Sequence, residues 1–243
     1  MCTVTFIPSG NDIFLTANRD EQRERPPALP PVIYRMNGRE IVFPKDTRAG
    51  GTWFAINENG NGVVFLNGAL ENHVHQPPYR KSRGLILLDL LSGLSAVAEF
   101  DKADLNHIEP FTAIITEGRK LYICRWNGSS KSRYKLNENL PYIWSSVTLY
   151  DPLTIEKRQQ WFTSWISKNP NPSLEEIMHF HQHTGDGDSN NDLMMNRDNK
   201  LFTHSISAAR ISENFATFHY LDLPGMESTD SSIRFLKAIP VNA

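Results

Sequence analysis

Short runs rich in β-branched and aromatic residues open the chain, and helical spacing enters only later. Residues 2–7 predict a strand, Pro8-Ser9-Gly10-Asn11-Asp12 a turn, and residues 13–18 the returning strand of a hairpin. That hairpin brings Arg19 and Asp20 back to the level of Cys2. The proline-dense stretch to Pro31 predicts a surface loop or rim, because proline cannot donate to a ladder. Short strands are expected at 32–35 and 40–43. Gly50-Gly51-Thr52 is a turn feeding a strand to Asn57, and Asn59-Gly60-Asn61-Gly62 turns into a partner strand ending at Asn67-Gly68. Helices are predicted at 82–92 and about 94–107, then strands at 111–117, 120–127, 131–136 and 142–148. In 154–168, Trp161, Phe162, Trp165 and Ile166 fall on one helical face. Ser173 and Glu176 form a capping-box pattern for a helix to about His183. A polar loop over 185–192 precedes strands at 201–212 and 214–223. The order strands, helices, strands, helices, strands lacks βαβ alternation. It predicts one α+β domain over 1–243 with mainly antiparallel sheets and helices on the outer faces.

Composition narrows the function classes. At 40% hydrophobic residues the chain has material for a sizeable core. A formal net charge of −2 gives no reason to expect nucleic acid or an anionic membrane as partner. No apolar run approaches the roughly 18 residues that span a bilayer, and no secretory leader is read at the start. Two cysteines, Cys2 and Cys124, do not make a disulfide framework. The expected setting is a reducing cytoplasm.

The candidate chemistry concentrates at the N-terminus. Removal of Met1 leaves Cys2 with a thiol and a free α-amine. Their reference pKa values, about 8.5 and about 8, let one serve as base for the other near neutral pH. Asn18, Arg19, Asp20 and Glu21 form a polar cluster at the end of the returning strand. A positive Arg19 favours thiolate, and Asp20 can orient the amine or thiol. Elsewhere the signals are weaker. His179, His181 and His183 near Asp186, Asp188 and Asp192 lack a third ligand of compelling spacing, so no metal is expected. Cys124 sits mid-strand among apolar residues and reads as a buried structural cysteine. Basic residues Arg80, Lys81 and Arg83 at a helix start read as a solvated turn. No phosphate loop, dinucleotide fingerprint or nucleophile elbow is present.

Met-Cys followed by Asn18-Arg19-Asp20-Glu21 resembles the NRDE family, also known as the transport and Golgi organisation protein 2 family. Arg25-Pro26, Gly50-Gly51-Thr52-Trp53, Leu66-Asn67 and Ser82-Arg83-Gly84 match in order, so the resemblance covers about residues 1–92. That family in turn resembles the cysteine-type N-terminal nucleophile hydrolases, among them bile salt hydrolases and penicillin V acylases. The resemblance implies an αββα four-layer sandwich, with Cys2 as nucleophile, Asp20 contacting the amine, and Asn67 as an oxyanion donor through its backbone amide. Arg19 and Asn18 join this catalytic set. Trp53, Ser146 and Thr148 are expected to contact substrate. Three departures stand out: an asparagine in place of an arginine, a missing second asparagine, and a distal arginine that no motif places. Asn18 occupies a position where the acylases place an arginine. Ser145-Ser146-Val147-Thr148 lacks the asparagine that supplies their second oxyanion donor, so Ser146 or Thr148 is the expected replacement. Arg197 and Arg210 are candidates for a distal arginine. The function implied is a cysteine-dependent hydrolase or acyl transferase acting on a small acyl amide, thioester or lipid-like ligand without a cofactor. The alternative is a carrier of lipid, acyl-CoA or haem that uses the same pocket.

Overall fold

The computed structural model describes residues 3–236. Cys2, and with it the first residue of the expected opening strand, lies outside them. In chain order the elements are β1 (Thr3–Ser9), β2 (Asp12–Gln22), β3 (Leu29–Met36), β4 (Arg39–Lys45), β5 (Phe54–Asn57) and β6 (Asn61–Asn67). Helices α1 (Arg83–Leu90) and α2 (Ala96–Lys102) follow, then β7 (Phe111–Glu117), β8 (Lys120–Trp126), β9 (Lys131–Leu136) and β10 (Tyr142–Ser145). The last third holds α3 (Pro152–Lys168), α4 (Leu174–His183), β11 (Asn196–Arg197), β12 (Leu201–Ile211), β13 (Phe215–Asp222) and β14 (Glu227–Arg234).

The strands form two antiparallel sheets. One runs β10-β1-β2-β12-β13-β14, with β11 paired to β12; the other runs β3-β4-β5-β6-β7-β8-β9. The two-residue period of a strand sends alternate side chains to opposite faces, and both faces of each sheet are covered. Val4, Phe6, Leu15, Ala17, Ala209 and Phe218 meet Val42, Phe54, Ile56, Val64, Leu66 and Ile114 between the sheets. On the outer face of the first sheet, Ile7, Phe14 and Ile143 pack on Phe162 of α3 and Ile177 and Phe180 of α4. On the outer face of the second, Phe43, Val63, Phe65, Ala113 and Trp126 pack on Leu87 and Leu90 of α1 and Val97 and Phe100 of α2. The layers are therefore helix, sheet, sheet, helix. Ser82 caps α1, Asp151 caps α3, and Ser173 with Glu176 closes a complete capping box on α4.

The structure changes the sequence reading at several places. The returning strand runs past residue 18 to Gln22, so Arg19 and Asp20 lie within it, and the short strand β11 is not among the expected elements. The proline-dense segment is not loop throughout: β3 begins at Leu29, and a register irregularity between Leu29 and Val32 accommodates Pro30 and Pro31 at the sheet edge. The second helix is shorter than 94–107, starting after the Ser95 cap and ending at Lys102. The tenth strand stops at Ser145 rather than 148, and residues 146–149 turn over the end of β6. A final strand, β14, pairs along the whole of β13.

Candidate functional site

The hairpin does what its sequence predicts. Thr3 pairs with Asn18 on one side and with Ser145 on the other. Successive residues of the Asn-Arg-Asp-Glu run then point to opposite faces, which separates their environments.

Asn18 and Asp20 face the helical layer. Asn18 is fully buried. Its amide donates to the carbonyls of Leu193 (2.7 Å) and His181 (3.2 Å), and its Oδ1 lies 2.6 Å from His181 Nδ1. His181 Nε2 is 2.8 Å from Thr5 Oγ1. Burial, with the nearby Arg158 charge, pushes the His181 pKa down to about 3. The imidazole is thus a neutral bridge between α4 and the hairpin. The Asp20 carboxylate is held on both oxygens: Tyr150 Oη donates to Oδ2 and Thr203 Oγ1 to Oδ1, each at 2.6 Å.

Arg19 points the other way, between the sheets, and is 3% exposed. Its Nη2 donates to Asp46 Oδ2 at 2.8 Å, and its guanidinium stacks over Trp53 at 4.5 Å from the ring centroid. Asp46 also accepts from Arg25 Nε and Nη2 at 3.0 Å and from the amides of Ala49 and Arg48. Burial pushes the Asp46 carboxyl up, but the Ala49 amide and the Arg25 and Arg19 charges outweigh it and hold the pKa below its ordinary range.

Two cavities flank this end of the molecule. A cleft of about 740 Å³ is lined by Arg19, Glu21, Asp46, Trp53, Asn67, Lys81, Arg83 and Glu109, among others. Its basic residues are paired: Lys81 with Asp89 and Arg83 with Glu109. A more apolar groove of about 840 Å³ is lined by Leu70, Val147, Thr148, Leu149, Tyr150 and Ile155. Ser146 joins the two: its hydroxyl donates to the Asn67 carbonyl at 2.9 Å and lies 3.0 Å from Thr148 Oγ1.

Three glycines make these close approaches possible. A Cβ on Gly51 would stand 2.4 Å from the Gly84 carbonyl carbon, and one on Gly84 would stand 2.7 Å from the Thr52 oxygen. The Gly-Gly-Thr-Trp and Ser-Arg-Gly motifs therefore pack backbone against backbone at the cleft wall. Gly68 has φ +80°, and a Cβ there would strike methyls of Val147 and Thr148 at 2.7 Å.

The structure thus gathers Arg19, Trp53 and Asn67 around one cleft, with Thr148 on the adjoining groove and Ser146 between. Asn18 lies behind them in the core. Arg197 reaches the same region: it lies 5.4 Å from the Tyr150 ring centroid and donates to the Leu149 carbonyl. Arg210 pairs with Asp12, beside the turn that joins β1 to β2. Sequence reasoning missed Asp46, Tyr150, Arg158 and Thr203, which come from distant segments and carry no local motif. Of the three histidines, His181 is a core residue, while the rings of His179 and His183 lie tilted against each other with centroids 4.5 Å apart. Among the described residues no cluster of three His, Cys, Asp or Glu is arranged to hold a metal, and no helix is long and apolar enough to cross a membrane. Cys124 is buried on the outer face of its sheet, and burial pushes its thiol up to about 12, which makes it a poor nucleophile.

Comparison with solved structures shows the same architecture at low identity. The N-acylethanolamine-hydrolyzing acid amidase ortholog of Caenorhabditis elegans is 12% identical, with a TM-score of 0.58 over 85% of this chain and 92% of that one. An arginine-to-leucine variant of conjugated bile acid hydrolase from Clostridium perfringens is 10% identical, with a TM-score of 0.60 over 99% and 100%. A cysteine-to-alanine mutant of that hydrolase gives 10% and 0.57 over 100% and 99%. The fold is accordingly that of the N-terminal nucleophile hydrolases. No curated protein sequence matches the chain. The family model described as Transport and Golgi organisation 2 matches residues 1–218, and the chain belongs to that family.

Proposed function

We propose that this chain is a cysteine-dependent hydrolase or acyl transferase acting on non-peptide amide or thioester bonds, with Cys2 as nucleophile once Met1 is removed. The observation that carries the reading is the clamped carboxylate of Asp20. Two hydroxyl donors fix it on the strand that pairs with Thr3, the residue to which Cys2 is joined. A surface hairpin has no use for a carboxylate that is 4% exposed and oriented on both oxygens.

In this reading the Cys2 sulfur adds to the substrate carbonyl carbon and its proton passes to the α-amine. The oxyanion is met by the Asn67 amide, with Ser146 or Thr148 beside it. As the C–N or C–S bond breaks, the α-ammonium returns the proton to the leaving group and a Cys2 thioester remains. Water, losing a proton to the amine, releases the carboxylic acid; an acceptor amine, alcohol or thiol completes acyl transfer instead. Asp20 orients the amine, and Arg19, held by Asp46 and Trp53, presents positive charge at the cleft. Trp53 forms part of the substrate wall, and the apolar groove takes the acyl part. A reducing, cytoplasmic setting keeps Cys2 as a thiol. The test is turnover of a panel of N-acyl amides and acyl thioesters by wild type and Cys2→Ala. Turnover lost in Cys2→Ala supports the reading, and turnover retained refutes it.

One observation favours a second reading, carriage of a lipid, acyl-CoA or haem without chemistry. Ser146 gives its hydroxyl proton to the Asn67 carbonyl rather than toward a ligand. A missing oxyanion donor costs roughly 10²–10³ in rate. Thermal stabilisation by such ligands, with no turnover in the same panel, would select carriage.

A further inference from the structure

The groove and the cleft differ in polarity, and neither is built for an anion. The groove wall carries three carboxylates, Glu71, Asp151 and Glu156, and among the described residues no lysine, arginine or histidine lines it. Asp151 caps α3. The Thr154 amide that donates to it holds its carboxyl below the ordinary range, so it is ionised at neutral pH. Glu71 and Glu156 are exposed. Between these charges the wall is apolar, with Val147, Leu149 and Ile155, and Leu70 carries that apolar surface out to solvent at 68% exposure. Two guanidiniums lie against the Tyr150 ring, Arg158 at 3.6 Å and Arg197 at 5.4 Å from its centroid. Arg158 donates to Thr3 Oγ1 and to the Asn191 and Asp192 carbonyls. Arg197 donates to the Asn190 and Leu149 carbonyls and to the Asn191 side chain. Neither lines the groove.

In the cleft each cation already has a carboxylate. Arg19 and Arg25 share Asp46 at 2.8 and 3.0 Å, and Glu21 lies 3.9 and 4.0 Å from the same two arginines. Lys81 pairs with Asp89 at 2.5 Å and Arg83 with Glu109 at 3.1 Å. His75 lies 3.1 Å from the same glutamate. Phosphates and carboxylates are gripped by guanidinium or ammonium groups whose donors are free to meet them. No lysine or arginine lining either cavity lacks a carboxylate partner.

We propose that the ligand of this site is an uncharged amphiphile. An unsubstituted acyl chain lies along the groove, and the polar end in the cleft carries neither phosphate nor carboxylate. The groove carboxylates repel an anionic chain end, and the matched cations of the cleft give a polyanionic carrier no added grip. Of the ligand classes named above, simple acyl amides, simple acyl thioesters and neutral lipids fit. Acyl-CoA, with its phosphates, and haem, with its carboxylates, do not. This rests on the reading that cleft and groove together hold the ligand, and it applies to turnover and carriage alike.

The experiment is calorimetric binding to the full-length Cys2→Ala protein, in which the proposed chemistry cannot proceed. Three probes share one chain and one thioester: neutral S-decanoyl-N-acetylcysteamine, the same molecule with a carboxylate at the far end of the chain, and decanoyl-CoA. At about 0.05 M salt the chain-end carboxylate should bind about tenfold more weakly than the neutral probe, and the deficit should shrink at about 0.5 M as the charges are screened. Decanoyl-CoA should bind no tighter than the neutral probe at either salt. Glu71→Gln combined with Glu156→Gln should recover about threefold of the carboxylate deficit and leave the neutral probe unmoved. Ile155→Ser should weaken the neutral probe about fivefold. Three results overturn the charge inference while Ile155→Ser still shows the chain in the groove: decanoyl-CoA tenfold tighter than the neutral probe, a chain-end carboxylate that binds equally well, or a deficit that the two glutamines leave unmoved. A neutral probe that does not bind, or that Ile155→Ser leaves unmoved, overturns the reading of the two cavities, and this inference with it.

Discussion

Replacing Asp46 by asparagine removes the charge that two arginines share. Asp46 accepts from Arg19 at 2.8 Å and from Arg25 twice at 3.0 Å, and Arg19 is 3% exposed. Asparagine keeps one acceptor for the Ala49 and Arg48 amides but turns an NH₂ toward the guanidinium groups, donor against donor. Removing one partner of a buried pair costs about 3–5 kcal/mol. Arg25 is partly open to solvent, which screens its share and pulls the value to the lower end, about 3 kcal/mol. For a chain of this size that is a fall in Tm of roughly 6–12 °C. The pH dependence gives a second check. The folded pKa of Asp46 is depressed below its ordinary 3.8, so its stabilisation is complete above that value and is lost as pH falls through the folded pKa. Urea unfolding of wild type and Asp46→Asn at pH 7 and down to pH 3 should show a gap that narrows at the acid end. Variants within about 0.5 kcal/mol at pH 7, the ordinary range of a surface substitution, would rule out a shared buried charge at this position. So would a gap that stays equally wide in acid.

Other predictions follow from the same geometry. Gly51→Ala drives a Cβ into the Gly84 backbone at 2.4 Å, so it should cost about 3 kcal/mol or more in urea unfolding; a neutral result means the two motifs do not pack as described. His181 is neutral when folded and charges when unfolded, so its contribution is complete above about 6.5 and drains away as pH falls toward the folded value of about 3. Stability should fall by up to about 1.4 kcal/mol per pH unit across that window, and His181→Gln should flatten the slope. Gly68→Ala, with φ +80° and Thr148 and Val147 in contact, should disturb the junction of cleft and groove and lower turnover more than a distant loop substitution of equal stability cost.

The sequence carried the hairpin, the two glycine motifs and both helix pairs because each rests on local signals: turn chemistry, caps and periodicity. It missed β14 because that strand is polar nearly throughout, Glu-Ser-Thr-Asp-Ser-Ser-Ile-Arg, with Ile233 its buried residue. Edge strands present such a face to water, and no hydrophobic alternation marks them. The site was legible in part. Arg19, Asp20 and Asn67 stand in motifs, and alternation along β2 settles the facing of the first two. Tyr150, Arg158 and Thr203 reach Asp20 and Thr3 from more than a hundred residues away. Nothing in their local sequence separates them from an ordinary cap-proximal tyrosine, helix arginine or strand threonine. Asn18 belongs to the motif by sequence, yet its contacts are those of a core clamp.

Covalent chemistry at Cys2 stands or falls on rapid-quench intact and peptide mass after mixing the protein with an acyl thioester. The expected species is a chain without Met1 carrying one hydroxylamine-labile acyl group on Cys2, absent in Cys2→Ala. A chain that retains Met1, or that carries no acyl group at Cys2 under conditions of turnover, would contradict it.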